Sequence, residues 1–339
     1  MNTLLSSLCH LPVSFVGNGQ EMLQSPDISD ITSLNLEFIG GGFSGLVYAI
    51  DGERVLKEYS DFDDRDRDTE HRAYERLGSH PNIARYFGAT KDGSIILERG
   101  RCLQTIYQQS GGTAGFPLSR KLRWAREAAA GLRHAHEKGI LQADVGCHNM
   151  MLTRDDRLKI FDFAGCSIDG EEAASCYKWF SYRPSTPEVS IQTDLFAYGC
   201  ALYEIETGRH PYHELETFDD RERRIKQLYQ EKKFPHVTHL ILGEVIQDCW
   251  NGKFNSMGEV IQALPNSNMR AWSCWSTIKR LKIHSTEIVN FLRPPLDWWK
   301  WLRNMAGYPF SIMRIPHLIG SIGITVTRRP IPALSNELP

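Results

Sequence analysis

The chain has 339 residues, 41% of them hydrophobic and 24% charged, with a formal net charge of −2. This is the composition of a folded globular protein, too apolar for a disordered chain and without the overall positive charge of a nucleic-acid binder. No charge-free apolar stretch reaches the roughly 18 residues that a membrane-spanning helix needs.

Residues 1–33 form a Ser- and Asn-rich lead without periodicity, expected to be a disordered extension. His10 and Pro12 interrupt its apolar run and no basic segment precedes it, which argues against a secretory leader. Residues 36–39 and 46–50 read as two strands joined by a Gly-rich turn. Asp51-Gly52 makes a hairpin turn into a third strand over 54–59. Dense mixed charge over 61–77, with Ala73, Tyr74 and Leu77 on one face, predicts an amphipathic helix stopped by His80-Pro81-Asn82-Ile83. Residues 95–98 read as a buried strand, and Arg99-Gly100 as the exit from the β-rich part.

Past residue 102 the pattern turns helical. Ser119 is placed to cap a helix through Leu122, Ala125, Ala129 and Leu132 to Gly139. A buried helix over 193–207 should end at Gly208, and an exposed amphipathic one covers 221–232. The predicted fold is therefore α+β and two-lobed, with a small β-rich lobe at 34–102 and a helical lobe at 103–265. From residue 266 onward ten Lys/Arg stand against three Asp/Glu, so this tail carries +7 and the rest −9. The tail holds five of the eight tryptophans, and Trp298-Trp299-Lys300-Trp301-Leu302-Arg303 would suit a partner or a membrane surface, or fold back. Eight cysteines are scattered without C-x-x-C or zinc spacing, as in a reduced intracellular, cytoplasmic chain.

Five groups carry chemistry. Gly40, Gly42 and Gly45 fit G-x-G-x-x-G-x-V, in which glycines let the backbone approach a polyphosphate. Lys57 follows twelve residues after Gly45, on the third strand. Glu70, in preference to Glu75, lies on the charged helix. Asp144 and Asn149 share one loop, and Asp162 ends an apolar strand. Taken singly each is an ordinary turn, surface charge or loop residue. In this order and spacing they resemble the eukaryotic protein kinase domain over about residues 36–264, and in detail the degenerate kinase-like proteins of filamentous fungi.

That resemblance implies ATP and Mg²⁺. Lys57, held by Glu70, would contact the α- and β-phosphates, Asp144 would take the acceptor hydroxyl's proton, and Asn149 and Asp162 would hold the metal. The adenine would meet backbone groups of Glu98 and Gly100, with Leu97 behind it and Val47, Val55 and Met151 against the ring. Thr186-Pro187-Glu188 resembles the end of the activation segment, and Thr193-Asp194 the helix start that anchors the catalytic loop. Lys253 is expected to pair with Glu188.

The departures are as specific. Gln142 and Ala143 stand where the family has His and Arg, so activation by loop phosphorylation is not expected. Gly146 stands where serine/threonine kinases place a Lys. His148 occupies the position of a tyrosine-kinase cation, and a neutral imidazole substitutes poorly for a fixed charge. Losing one aimed charge typically costs about 3 kcal/mol of transition-state stabilisation, so transfer should be slow. Ala164 replaces the flexible Gly after Asp162-Phe163, and Gly165 is placed to compensate. Three readings follow: a slow protein kinase, with Ser/Thr acceptors ahead of Tyr; a pseudokinase acting as a nucleotide-binding scaffold; and a small-molecule kinase, which the Pro187-Glu188 segment disfavours.

Overall fold

In the computed structural model, the described residues are 28–42, 44–59, 64–111, 115–183, 185 and 187–265. The expectations for 1–27 and for the basic tail lie outside them.

The small lobe is an antiparallel sheet. β1 (Glu37–Gly42), β2 (Gly45–Ala49) and β3 (Arg54–Glu58) follow one another, and β5 (Ile95–Glu98) lies between β3 and β4 (Tyr86–Ala89). The two-residue period of a strand divides its side chains between the two faces. Leu56 and Ile96 point to one face, where Ile31 covers them. Val55, Ile95 and Leu97 belong to the core on the other face. Lys57, two residues beyond Val55, therefore faces the same way as Val55. On that side lies α1 (Asp64–Leu77), whose residues 70, 73, 74 and 77 form a buried i, i+3, i+4, i+7 stripe. Ala73, Tyr74 and Leu77 make the stripe apolar, and Glu70, fully buried, is its polar exception.

The helical lobe is centred on α3 (Leu118–Glu137), reached through β6 (Arg101–Cys102) and α2 (Leu103–Gln109). Ser119 does not cap α3. The cap position is Pro117, without a side-chain hydrogen bond, and Ser119 sits inside the first turn. Proline supplies a preset φ there, which suits a helix entrance. α4 (Ile191–Thr207) has the capping box: the Ser190 hydroxyl accepts from Thr193 N, and the Thr193 hydroxyl from Ser190 N. Gly208 closes it with φ 78°. α5 (Arg221–Gln230), α6 (Gly243–Trp250) and α7 (Met257–Ala263) complete the lobe, with α6 against α4 and α7 against α3. Trp124 and Trp250 are fully buried.

Short strands between α3 and α4 carry the polar loops. β7 (Ile140–Leu141) pairs with β10 (Ser167–Ile168), and β8 (Met150–Leu152) joins β6 to β9 (Leu158–Ile160). The turn after α1 docks here: Asn82 Nδ2 donates to Leu158 O, Ile160 N to Asn82 O and Ala84 N to Ile160 O. These bonds fix the small lobe to β9, the strand that leads into the 162 loop.

Candidate active site

Lys57 and Glu70 meet as the stripe argument requires. Lys57 Nζ donates to Glu70 Oε2 at 2.5 Å and to Asp162 Oδ1 at 2.9 Å. Glu70 is further held by the Tyr59 hydroxyl, 2.6 Å from Oε2, and by Phe163 N, 3.2 Å from Oε1. Glu75 pairs with His71 instead. Burial alone would depress Lys57, but two carboxylates on one ammonium outweigh it and hold the lysine above its ordinary range. Burial would likewise raise Asp162, and Lys57 reverses the sign, keeping that carboxyl below its ordinary range.

Phe163 is buried and packs edge-on against Tyr74 of α1, with ring centroids 5.4 Å apart. Together with the Phe163 N bond to Glu70, this ties the turn at Asp162 to the helix that carries Glu70. Gly165 is closely packed where it stands. Its carbonyl accepts from both Ala174 N and Ser175 N, and a Cβ on it would lie 1.8 Å from Ser175 Oγ. Farther along, Arg72 makes a two-pronged pair with Glu171, Arg76 pairs with Asp169, and Arg65 donates to Glu172 O. Three arginines of α1 thus hold an acidic stretch of the same segment.

The 144–149 loop is held from below by Asp194. Its carboxylate accepts from Gln142 N at 3.0 Å, Ala143 N at 3.1 Å and the Tyr177 hydroxyl at 2.8 Å, and His136 Nε2 lies 2.8 Å away. Ala143 takes φ 62°, a left-handed conformation costing an L-residue about 1–2 kcal/mol. Gln142 bridges the site. Its amide donates to Asp162 O and accepts from Asp144 N, both at 2.9 Å. Gln142 is thus more than the absence of a histidine: this position uses a side chain with both donor and acceptor.

Asn149 Nδ2 donates to Asp144 O at 2.9 Å and lies 3.4 Å from Asp144 Oδ2. With its amide nitrogen committed, Asn149 has its Oδ1 for a ligand. Asp162 keeps a side chain one-third exposed, with Oδ1 shared with Lys57. Two hard oxygen donors of this kind fit Mg²⁺, which takes one or two protein oxygens and completes its shell with phosphates and water. His148 Nε2 stands 3.1 Å from Asp144 Oδ1, within ion-pair distance but not aligned for a hydrogen bond. Lys178 Nζ stands 3.6 Å from Asp144 Oδ2.

Beside these groups lies an apolar wall. Val55, Leu97 and Met151 belong to the main core and Val47 packs against it. Gly100 abuts this wall, since a Cβ there would fall 2.6 Å from Met151 Sδ. Gly40 and Gly42 face open space, whereas Gly45 takes φ 152° and a Cβ on it would strike Glu58 O at 2.2 Å. Lys253 pairs with Asp248 at 2.6 Å rather than with Glu188, which is exposed. The tie between this segment and α6 runs instead from Arg183 to Trp250 O, at 3.1 Å.

Residues 54–261 match the family profile described as protein tyrosine and serine/threonine kinase. The Gly-rich loop precedes the matched span. Among curated relatives, a probable protein kinase of Dictyostelium discoideum is 31% identical over 39% of this chain and 41% of its own length. Serine/threonine-protein kinase STY17 of Arabidopsis thaliana is 24% identical over 50% of this chain and 31% of its own. Serine/threonine-protein kinase Nek5 of Mus musculus is 27% identical over 52% and 31%. The chain thus spans less than half the length of these relatives.

Proposed function

The chain belongs to the protein tyrosine and serine/threonine kinase family, and from that premise we propose that it transfers the γ-phosphoryl group of ATP to a protein hydroxyl. The observation that carries this reading is the assembled charge relay: Lys57 bonded to Glu70 and Asp162 at once, with Gln142 joining Asp162 to the Asp144–Asn149 loop. A chain that had abandoned phosphoryl transfer has no need to hold all of these in register.

In this mechanism Asp144 orients the acceptor hydroxyl and receives its proton as the oxygen–phosphorus bond forms. The bond from the γ-phosphorus to the departing ADP oxygen breaks in the same displacement. Lys57, positioned by Glu70, neutralises the α- and β-phosphates. Asn149 and Asp162 would hold Mg²⁺, which when bound offsets phosphate charge. Glu98 and Gly100 would take the adenine edge, between Val47, Val55, Leu97 and Met151. The serine/threonine names of STY17 and Nek5 support a Ser/Thr acceptor. Pro187-Glu188 running into the capped α4 supports a protein rather than a small-molecule substrate. Six described cysteines are free thiols, which supports an intracellular site.

The pseudokinase reading draws on Gly146 and Ala143, which leave the loop without its usual cations. The two separate in one assay, phosphate release from Mg-ATP by the full chain. Asp144→Asn should lower turnover at least about 100-fold, the ordinary worth of a positioned general base. Equal turnover in both proteins, or none despite bound nucleotide, would establish the scaffold reading.

A further inference from the structure

We propose that Lys178, from the segment between the Asp162 turn and α4, supplies the positive charge that the catalytic loop lacks. This rests on the phosphotransferase reading above and adds a residue to it. Position 146 of the loop cannot carry the charge. A Cβ at Gly146 would lie 2.4 Å from the His148 ring, so no lysine fits at 146 while His148 keeps its place. Lys57 is committed to Glu70 and Asp162. His148 approaches Oδ1 of Asp144, and the Lys178 ammonium approaches the other oxygen, Oδ2, at 3.6 Å.

The position of Lys178 is built rather than incidental. Its carbonyl accepts from Ser181 N at 2.8 Å and from Ser181 Oγ at 3.2 Å. The preceding residue, Tyr177, is buried and donates its hydroxyl to Asp194 Oδ1 at 2.8 Å. Asp194 also receives the main-chain N–H groups of Gln142 and Ala143. One fully buried carboxylate therefore positions both the loop that carries Asp144 and the segment that carries Lys178. The lysine side chain is 48% exposed, so its ammonium can swing on a fixed base from Asp144 toward a phosphoryl group arriving beside it. In this arrangement the cation reaches the site only while its segment is docked, so segment docking and catalysis are one event.

The test uses the full chain and its Asp144→Asn, Lys178→Met and Lys178→Arg variants. Phosphate release from Mg-ATP is measured together with the Kd for Mg-ATP and the melting temperature. Lys178→Met should lower kcat about 100-fold, the typical effect of removing one group aimed at developing charge. Its Kd should change by less than about threefold and its melting temperature should stay that of wild type, because the ammonium acts on the transferring group and half faces solvent. Lys178→Arg should restore most of kcat. Wild-type turnover that depends on Asp144 but is unaffected by Lys178→Met would overturn this proposal and leave the phosphotransferase reading intact. Turnover that does not depend on Asp144 would overturn both. An Arg variant as slow as Met, or a Met variant that loses nucleotide binding and melts early, would show a structural role and overturn the charge assignment.

Discussion

Glu70→Gln tests the central ion pair most directly. The substitution preserves shape and removes one negative charge from a site with no solvent exposure. In the wild type that carboxylate accepts from Lys57 at 2.5 Å, Tyr59 at 2.6 Å and Phe163 N at 3.2 Å. The amide oxygen can still accept from one or two of these, while its NH₂ group brings donors to a place that already holds three. Breaking a buried pair by neutralising one partner costs about 3–5 kcal/mol, because the other charge stays buried. Asp162 remains 2.9 Å from Lys57 and compensates in part, so the lower end, about 3 kcal/mol, is expected. For a domain of this size that is a fall in melting temperature of roughly 6–12 °C. Thermal melts read by circular dichroism, backed by urea titrations, measure it. A variant within about 0.5 kcal/mol of wild type would refute the view that Glu70 is the buried counter-charge of Lys57. Glu75→Gln, at an exposed side chain that pairs with His71, should melt like wild type.

Asp162 gives the pH dependence. Its folded carboxyl lies below the ordinary aspartate range, so its contribution is fully present above the unfolded value of about 3.9 and is lost as pH falls through the folded value. The stability gap between wild type and Asp162→Asn should be constant near neutrality and narrow below about pH 4; a gap that widens with acid contradicts the assignment. Gly100→Ala would press its methyl onto Met151 Sδ and toward Leu152 O, 3.1 Å away. The flexible thioether yields into the apolar wall, so nucleotide affinity should drop while the fold loses no more than about 1–3 kcal/mol; unchanged Mg-ATP affinity would place the adenine elsewhere. Ala143→Gly should stabilise the protein by up to about 1 kcal/mol in urea titration, because glycine adopts φ 62° without the Cβ penalty. Destabilisation there would mean that the buried methyl group matters more than the strain.

What was legible in the sequence was what local rules govern. Period 2 in Val55-Leu56-Lys57 and period 3.6 in Glu70-Ala73-Tyr74-Leu77 depend only on backbone geometry, and they turn Lys57 and Glu70 toward the same core. Gly208 and the Thr193–Thr207 segment were readable for the same reason, and Ser119 misled because proline two residues earlier also opens a helix. The chemical groups from Gly40 to Asp162 were legible through the resemblance to the protein kinase domain that their order and spacing carry.

Tertiary structure decided the pairings that local periodicity does not reach. In sequence Gln142 is only the absence of a histidine, whereas in the fold its amide spans Asp144 N and Asp162 O. Lys253 was the expected partner of Glu188, but a nearer acid, Asp248, takes it, and Arg183 ties the segment to Trp250 instead. Lys178 and Asp144 are 34 positions apart, and their charged atoms lie 3.6 Å from one another where Asp194 gathers Tyr177 and the 144–149 loop onto one carboxylate. A one-dimensional pattern specifies which face a side chain occupies, since that follows from the residue's own backbone. It does not specify which charge lies opposite, since that depends on how separate segments close around a common core.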